Sequence, residues 1–281
     1  MPELPEVEIT ARLIGSAVTG ARVESATAPG INALKTFDPP LGSLGAQNIL
    51  GIRRRGKLFL VELTGELTLL IHLMSAGRLQ LFDSRASLRD RTSRVLVRLD
   101  DGRELRLREF GTRQRAWVKL LRSGEVEQDQ TLAALGPEAW PDPPELGELL
   151  DQPRPLYAIL RDQQVIAGIG RSWVDEILHA ARLSPFRRGA DLDEAEAAVL
   201  RQAIIDQLGR ALSHYEQTLA LPIPDKLPMP LAVHRRNGEP CPRCGERLEA
   251  VFYEDYVMCY CPQCQTEGKV LKDRRLSRLL K

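Results

Sequence analysis

Apolar and polar residues alternate with three different rhythms along this 281-residue chain. Over residues 1–14, Val7, Ile9, Leu13 and Ile14 recur at loosely helical spacing, and Pro5 suits a first helical turn, so a helix is predicted there. From about residue 20 to residue 122 the rhythm shortens. Residues 58–63, 67–73, 95–99 and 105–107 read as strands, with Gly65, Gly77 and Asp101-Gly102 as turns between them. Short strands at such regular spacing predict a sandwich or barrel. Residues 136–155 carry six Pro in an acidic background and read as a linker. Helical periodicity then returns. Helices are predicted over 156–163, 172–181 and 192–212, with a Gly-punctuated turn at 165–170 and Asp191 as the cap of the third. Residues 219–233 are rich in Pro, and 249–260 alternate as a hairpin would. No internal repeat is present.

Composition narrows the class. The chain is 43% hydrophobic and 27% charged, an ordinary globular balance. Its most apolar stretch, residues 58–74, is interrupted by Glu62 and Glu66, so no run approaches the ~20 apolar residues of a membrane span. The opening is acidic and has no apolar leader region, which predicts a cytosolic protein with no membrane partner. Aromatic residues are only 5% of the chain, so no broad stacking surface for single strands is advertised. The net charge of +1 hides a segregated pattern: a basic knot at Arg53, Arg54, Arg55 and Lys57, Arg-rich residues 85–122, and a basic tail over 269–281, against no Lys or Arg in residues 124–152. Such segregation gives one face a positive field. Taken singly, each cluster reads first as a solvated surface.

All five Cys fall between residues 241 and 264. Cys241 and Cys244 form one Cys-x-x-Cys knuckle, and Cys261 and Cys264 form another. Two such knuckles deliver four thiolates to one tetrahedral Zn²⁺. With no open position the site is structural, and it holds a module too small to fold alone. Cys259 is read as a strand residue facing away, with exchange for a knuckle Cys as the alternative.

The start of the chain carries different chemistry. Met-Pro is a processing signal, and loss of Met1 leaves Pro2 as a free secondary amine. An α-amine has a pKa of roughly 7.7–8, so part of it is neutral near pH 7 and nucleophilic toward an aldehyde-like carbon. Glu3 sits beside it as an acid or base. Alone, this pair is also what an untethered terminus looks like.

Combined with the other motifs it becomes specific. Pro2-Glu3-Leu4-Pro5-Glu6-Val7-Glu8, Arg54-Arg55-Gly56-Lys57, Ile71-His72-Leu73, Phe110-Gly111-Thr112, Gly136-Pro137-Glu138, and Ala167-Gly168-Ile169-Gly170 followed by Val174-Asp175-Glu176 occur in order, and the Cys pairs close the set. From residue 2 to about 265 the chain resembles the formamidopyrimidine-DNA glycosylase / endonuclease VIII family of bacterial-type repair proteins. The resemblance implies an α+β multidomain fold: an N-terminal helix and β-sandwich over 1–135, a linker over 136–155, a helix–two-turn–helix domain over 156–233, a four-cysteine zinc finger over 234–268 and the basic tail. It implies base-excision repair of double-stranded damaged DNA lying in a cleft between two lobes, by a monomer with one structural Zn²⁺ and no small-molecule cofactor. Pro2 would attack C1′ of a flipped-out nucleotide. Glu3 would protonate the ring oxygen, Glu6 would hold sugar or base, and Lys57 would grip a phosphate. The iminium would then permit β- and δ-elimination. Arg54, His72 and Arg171 would contact the backbone, contacts that position without specifying sequence. Met74, Arg108 and Phe110 would fill the gap left by the flipped base.

Departures from the family pattern cluster in recognition. Arg171 replaces a phosphate-binding Asn. Tyr256 stands where the zinc hairpin usually carries an Arg. Tyr157 replaces a Lys associated with oxidised guanine, and Ser75 aligns with the gap-filling Met. The loop after Arg108 is short, which leaves Arg108 as either a gap filler or a strand residue. Pro-rich residues 221–230 replace a lesion-capping loop. Two classes of function therefore compete: a glycosylase and lyase with an altered lesion range, and a paralogue that binds damaged DNA without excising, with an abasic-site lyase between them.

Overall fold

The computed structural model describes residues 2–87, 90–110, 113–253 and 256–271. Met1, Gly111-Thr112 and residues 272–281 of the basic tail lie outside them. The chain divides into two compact units, Met1–Ala134 with Leu212–Pro228, and Leu135–Ala211 with Met229–Lys281.

The first unit opens with helix α1 (Leu4–Val18), followed by strands β1 (Val23–Thr27), β2 (Ile49–Arg55), β3 (Leu58–Leu63), β4 (Leu67–His72), β5 (Gly77–Phe82), β6 (Ser93–Leu99), β7 (Glu104–Glu109) and β8 (Trp117–Arg122). A short helix, α2 (Gln130–Ala133), follows. The strands form two antiparallel sheets, ordered β1-β6-β7-β5 and β2-β3-β4-β8. Period-two alternation sends Phe59, Val61, Leu69, Ile71, Val118 and Leu120 from one sheet, and Leu79, Leu81, Val95, Val97, Leu105 and Leu107 from the other, into a single core. The predicted sandwich is this pair of sheets. The helical stripe that joins the core is Val7, Ala11, Ile14 and Val18, with Leu13 at its margin, and the helix starts at Leu4 and runs four residues past the predicted end at residue 14.

The opposite face of the sheet containing β6 and β7 absorbs much of the Arg-rich segment. Glu104 is fully buried and accepts from Arg106 at 2.6 Å, Arg98 at 3.2 Å and the Ala86 N–H at 2.8 Å. Arg94 faces buried Glu109 at 3.8 Å, and Arg103 pairs with Asp101 at 2.5 Å. Register pairs Arg98 with Glu104 across the strands and Arg106 lies two residues along on the same face, so part of this basicity is paired within the fold. Arg91, Arg113 and Arg115 have no carboxylate partner among the described residues.

The second unit holds helices α3 (Gly147–Leu150), α4 (Leu156–Ile159) and α5 (Arg171–Ala181), most of α6 (Glu194–Thr218), the hairpin β9 (Glu249–Phe252)–β10 (Val257–Tyr260) and the turn α7 (Pro262–Gln265). The Pro-rich segment contributes Ala139, Leu146 and Leu150 to its interior. Helix bounds differ from expectation at several ends; α6 runs on to Thr218 where 212 was expected, and two of the differences have a local cause. The first predicted helix stops after one turn because Asp162 draws the chain round: its carbonyl accepts from Val165 and Ile166 N–H at 3.0 Å each, and its side chain from Gln164 N–H at 3.1 Å. The third begins at Glu194 because Asp193, not Asp191, caps it. Asp193 accepts the Glu196 N–H at 2.8 Å while Glu196 accepts the Asp193 N–H at 3.2 Å. Asp191 pairs with Arg188 instead.

Candidate active site, nucleic-acid contacts and metal centre

Pro2 is buried and runs directly into α1. Glu3 is the helix N-cap, and Glu3 and Glu6 form a reciprocal capping box. The Glu3 N–H donates to Glu6 Oε2 at 2.9 Å, and the other Glu6 oxygen accepts from the Tyr215 hydroxyl at 2.7 Å. Both carboxylates are buried, at 1% and 2% exposure, beside a fully buried Tyr215. Burial, with the adjacent Glu6 and Glu3 charges, drives the Tyr215 phenol well above its ordinary value and keeps it a donor. Sequence reasoning missed Tyr215, which reaches Glu6 from 209 positions away. No local signal marks it, because an aromatic on a long amphipathic helix reads as core.

The β2–β3 hairpin carries Lys57 after Gly56, whose φ of 56° lies in the left-handed region that suits glycine. Lys57 is half-buried. Arg54, expected at the DNA, is turned onto the protein. Its side chain is 5% exposed, pairs with Glu8 at 2.8 Å and donates to the Gly56 carbonyl at 3.0 Å. The cause is the packing of β2 against α1, which presents Glu8 to the strand. Burial works to raise the Glu8 carboxyl, but hydrogen bonds and charge from Arg54 and Arg12 outweigh it and hold Glu8 below the usual carboxylate range.

His72 ends β4, stacks on Trp117 with centroids 5.4 Å apart, and accepts the Met74 N–H on Nδ1 at 3.0 Å. Burial, aided by the nearby Lys57 charge, lowers its pKa to about 4. It is thus neutral at pH 7, with Nε2 left as the donor. Met74 is half-buried in the following turn with φ 50°, and Ser75 beside it is exposed. Arg108 lies within β7 opposite Arg78. It donates to Thr92 Oγ1, Gln80 Oε1 and Asp225 Oδ1, each at 3.1 Å, and its guanidinium lies 4.7 Å from the centroid of half-buried Phe110. Of the two placements open to Arg108, the strand is the one observed.

In the second unit Arg171 is the first residue of α5. Its guanidinium carbon sits 5.0 Å from the Tyr256 ring centroid, and Tyr256 in turn stacks with Tyr157 at 5.8 Å. Three positions that depart from the family pattern are therefore neighbours in space.

The thiols of Cys241, Cys244, Cys261 and Cys264 lie within 4.8 Å of one another. Sulfur separations are 3.9 Å for Cys241–Cys264 and 3.5 Å for both Cys244–Cys261 and Cys244–Cys264. Tetrahedral Zn–S bonds of ~2.3 Å place sulfurs ~3.8 Å apart, so the four thiols have the geometry to hold a metal. Backbone N–H groups of Arg243 and Cys264 approach Cys241 and Cys261 sulfur at 3.4 Å, and His179 Nε2 lies 3.2 Å from Cys241 Sγ. Cys259 stands apart in β10, where its sulfur accepts from the Arg235 N–H at 3.2 Å. Above the knuckles, buried Glu176 collects the N–H groups of Ala232, Val233 and His234.

Comparison with known proteins meets this geometry at both units. The family model of the formamidopyrimidine-DNA glycosylase N-terminal domain matches residues 1–114, and that of the formamidopyrimidine-DNA glycosylase H2TH domain matches residues 144–221. The formamidopyrimidine-DNA glycosylase of Thermus thermophilus is 35% identical over 282 residues, covering 95% of this chain and all of that one. The chain belongs to the formamidopyrimidine-DNA glycosylase family. Within that family, the enzyme of Enterococcus faecalis is 32% identical over 98% of this chain and 100% of its own. An uncharacterised formamidopyrimidine-DNA glycosylase-like protein of Mycobacterium tuberculosis is 42% identical over 126 residues, 45% of this chain and 80% of that one. Among solved structures, the Lactococcus lactis family member in complex with DNA containing N7-benzyl-Fapy-dG superposes with a TM-score of 0.84 at 25% identity, over 94% of this chain and 100% of that one. The same protein with abasic-site DNA gives 0.83 at 25% identity, over 94% and 99%.

Proposed function

We propose that this chain is a base-excision DNA glycosylase with AP-lyase activity on double-stranded damaged or abasic DNA. The observation that carries the proposal is the arrangement at the N-terminus: Pro2 leads into a helix whose first-turn carboxylates, Glu3 and Glu6, are both buried and held by hydrogen bonds. Desolvated carboxylates in fixed orientations are what proton transfer at a sugar requires. A protein that only bound DNA would have no physical use for two of them at its amine terminus.

With Met1 removed, the Pro2 nitrogen adds to C1′ of the lesion nucleotide and the damaged base leaves with the bonding pair. Glu3 protonates the ring oxygen, the ring opens, and an iminium joins Pro2 to the sugar. Proton loss from the carbon next to the iminium expels the 3′ phosphate, and a second elimination expels the 5′ phosphate. Glu6, oriented by Tyr215, holds the sugar. Lys57 grips a neighbouring phosphate, and neutral His72 donates to the backbone through Nε2. The four Cys hold one structural Zn²⁺. Arg171, Tyr157 and Tyr256 support a lesion range shifted from that of oxidised-guanine enzymes.

The test is borohydride trapping. Mature protein, its Met1 loss verified by intact mass, is mixed with abasic duplex and reductant. A covalent adduct mapping to Pro2 is expected, and Glu3→Gln is expected to slow base release more than cleavage of a preformed abasic site. Absence of any adduct from protein lacking Met1 overturns the enzyme reading in favour of a binding paralogue.

A further inference from the structure

Helix α5 turns a buried polar face toward the cysteine module. Asp175 and His179 stand four positions apart on it and Glu176 and His179 three, so the three side chains share one face. All three are buried. Asp175 accepts the Cys259 N–H at 3.1 Å and meets His234 Nδ1 at 2.6 Å. His179 reaches the first knuckle itself. Its Nε2 lies 3.2 Å from Cys241 Sγ, and its ring has no other hydrogen-bond partner among the described residues. The same knuckle returns a contact through Arg243, whose guanidinium donates to the carbonyls of His179 at 2.9 Å and Ala180 at 3.2 Å. These carbonyls close the helix, where donors run short and a cation is favoured. The second knuckle is tied to the same end of α5 by Gln265, which accepts the Cys261 N–H at 2.8 Å and donates to the Leu183 carbonyl at 2.9 Å.

The thiols differ in their access to water. Cys241 and Cys261 are buried, at 3% and 0% exposure, whereas Cys244 is exposed. Burying a charged ligand is costly unless protein donors replace the water it loses. Within the knuckles those donors are the backbone N–H groups of Arg243 and Cys264. His179 is a side-chain donor from outside them. We infer that His179 is a positioning residue of the metal site, its Nε2–H hydrogen-bonded to the Cys241 thiolate so that the ligand is fixed and metal occupancy is tied to α5. The inference rests on the reading above that the four Cys hold Zn²⁺. A metal-bound sulfur has given up its proton, so the hydrogen between the two atoms belongs to Nε2. This holds whether or not Nδ1 carries a second one. The metal joins the two knuckles, and both knuckles hold the end of one helix, so ligand and helix are set together. Nothing in the spacing of the Cys marks His179, because a single His on an amphipathic helix reads as core.

The experiment compares the full-length parent with His179→Phe and His179→Gln, each loaded with Zn²⁺ or with Co²⁺. Phe keeps a ring without a donor, and Gln keeps an N–H donor near the place of Nε2. His179→Phe is expected to bind Zn²⁺ roughly 10–100-fold more weakly in competition with a chromophoric chelator. Its Co²⁺ form is expected to show the thiolate-to-cobalt charge-transfer band at longer wavelength, because a thiolate that loses a donor yields charge to the metal more readily. His179→Gln is expected to restore most of both. Arg243→Met breaks the tie to the helix carbonyls but leaves the sulfur its donor, so a lower melting temperature with the parent's cobalt band is expected. Parental affinity and band in His179→Phe, a His179→Gln as weak as His179→Phe, or an equal band shift in Arg243→Met overturns the inference and leaves His179 as packing. If His179→Phe holds no metal at all, His179→Gln decides alone: near-parental values support the donor and a Phe-like loss overturns it. A parent that binds neither ion sinks the four-thiol reading and the inference with it. A parent with a tetrahedral thiolate–cobalt spectrum that is unmoved in His179→Phe loses the inference alone.

Discussion

Among single residues, the candidate site is a matter of carboxylates kept in place by donors. Glu6 uses one oxygen for the N-terminus of its own helix and the other for Tyr215. Tyr215→Phe removes one hydroxyl from a buried pair and with it one hydrogen bond to the Glu6 carboxylate. Such a loss costs about 1–3 kcal/mol, read as a lower urea midpoint with an unchanged m-value. Base release should fall with it, because Glu6 then loses one of the contacts that orient it. A midpoint equal to that of the parent would show that the phenol has no part in holding Glu6. His72 makes the complementary point. It is the residue type most ready to charge near neutral pH, yet its burial and the Lys57 charge hold it at about 4, so any contact it makes with DNA is a neutral hydrogen bond.

Between elements, the brace joining α1 to the Lys57 hairpin is the feature on which the site's geometry depends. Glu8 on α1 pairs with Arg54 on β2, and Arg54 donates to the turn carbonyl of Gly56, next to Lys57. Glu8 sits below its ordinary 4.5 in the folded chain, so around and below that pH the unfolded chain binds more protons than the native one. The stability Glu8 contributes is therefore complete above its unfolded pKa and is lost as the pH falls through the depressed value. Glu8→Gln is expected to lower stability at pH 7 and to flatten its fall on acidification below about pH 4.5, measured by thermal unfolding across a pH series. An identical acid limb in parent and variant would exclude Glu8 as a contributor.

Across the molecule, the sandwich core is built from the first unit, with Ile223 returning to it from beyond α6. The Cys module packs separately around Val233, Cys241, Leu248, Cys259 and Cys261. Metal removal should accordingly act on one unit. A thiol-competing chelator, or Cys244→Ser, is expected to abolish a metal-dependent calorimetric transition and to weaken DNA binding, while the transition of the sandwich persists. The same module is too small to hold itself together by apolar burial alone. Freshly prepared protein lacking metal, yet showing an unaltered module, would overturn this.

Read along the chain alone, local pattern and spacing carry a definite share of this architecture. Short apolar runs in residues 58–107 specify strands whatever they pair with, and paired Cys-x-x-Cys knuckles specify a four-thiol site because ligand geometry tolerates few other uses. Pro2, Glu3 and Glu6 were named together only through the resemblance of the opening motif to the family, and the structure puts Glu3 at the N-cap and Glu6 in the first turn of α1. The partners were set by packing. That Arg54 would reach Glu8, that Arg108 would lie in a strand beside Asp225, and which distant residue would hold Glu6 all depended on contacts between segments far apart in the chain. A guanidinium is the same in sequence whether it binds a phosphate or a carboxylate, and only folding determines which is within reach. The convergence of Tyr157, Arg161, Arg171, Tyr253 and Tyr256 arises in the same way: five residues on three segments become one cluster when the β9–β10 hairpin and the helices pack within the second unit.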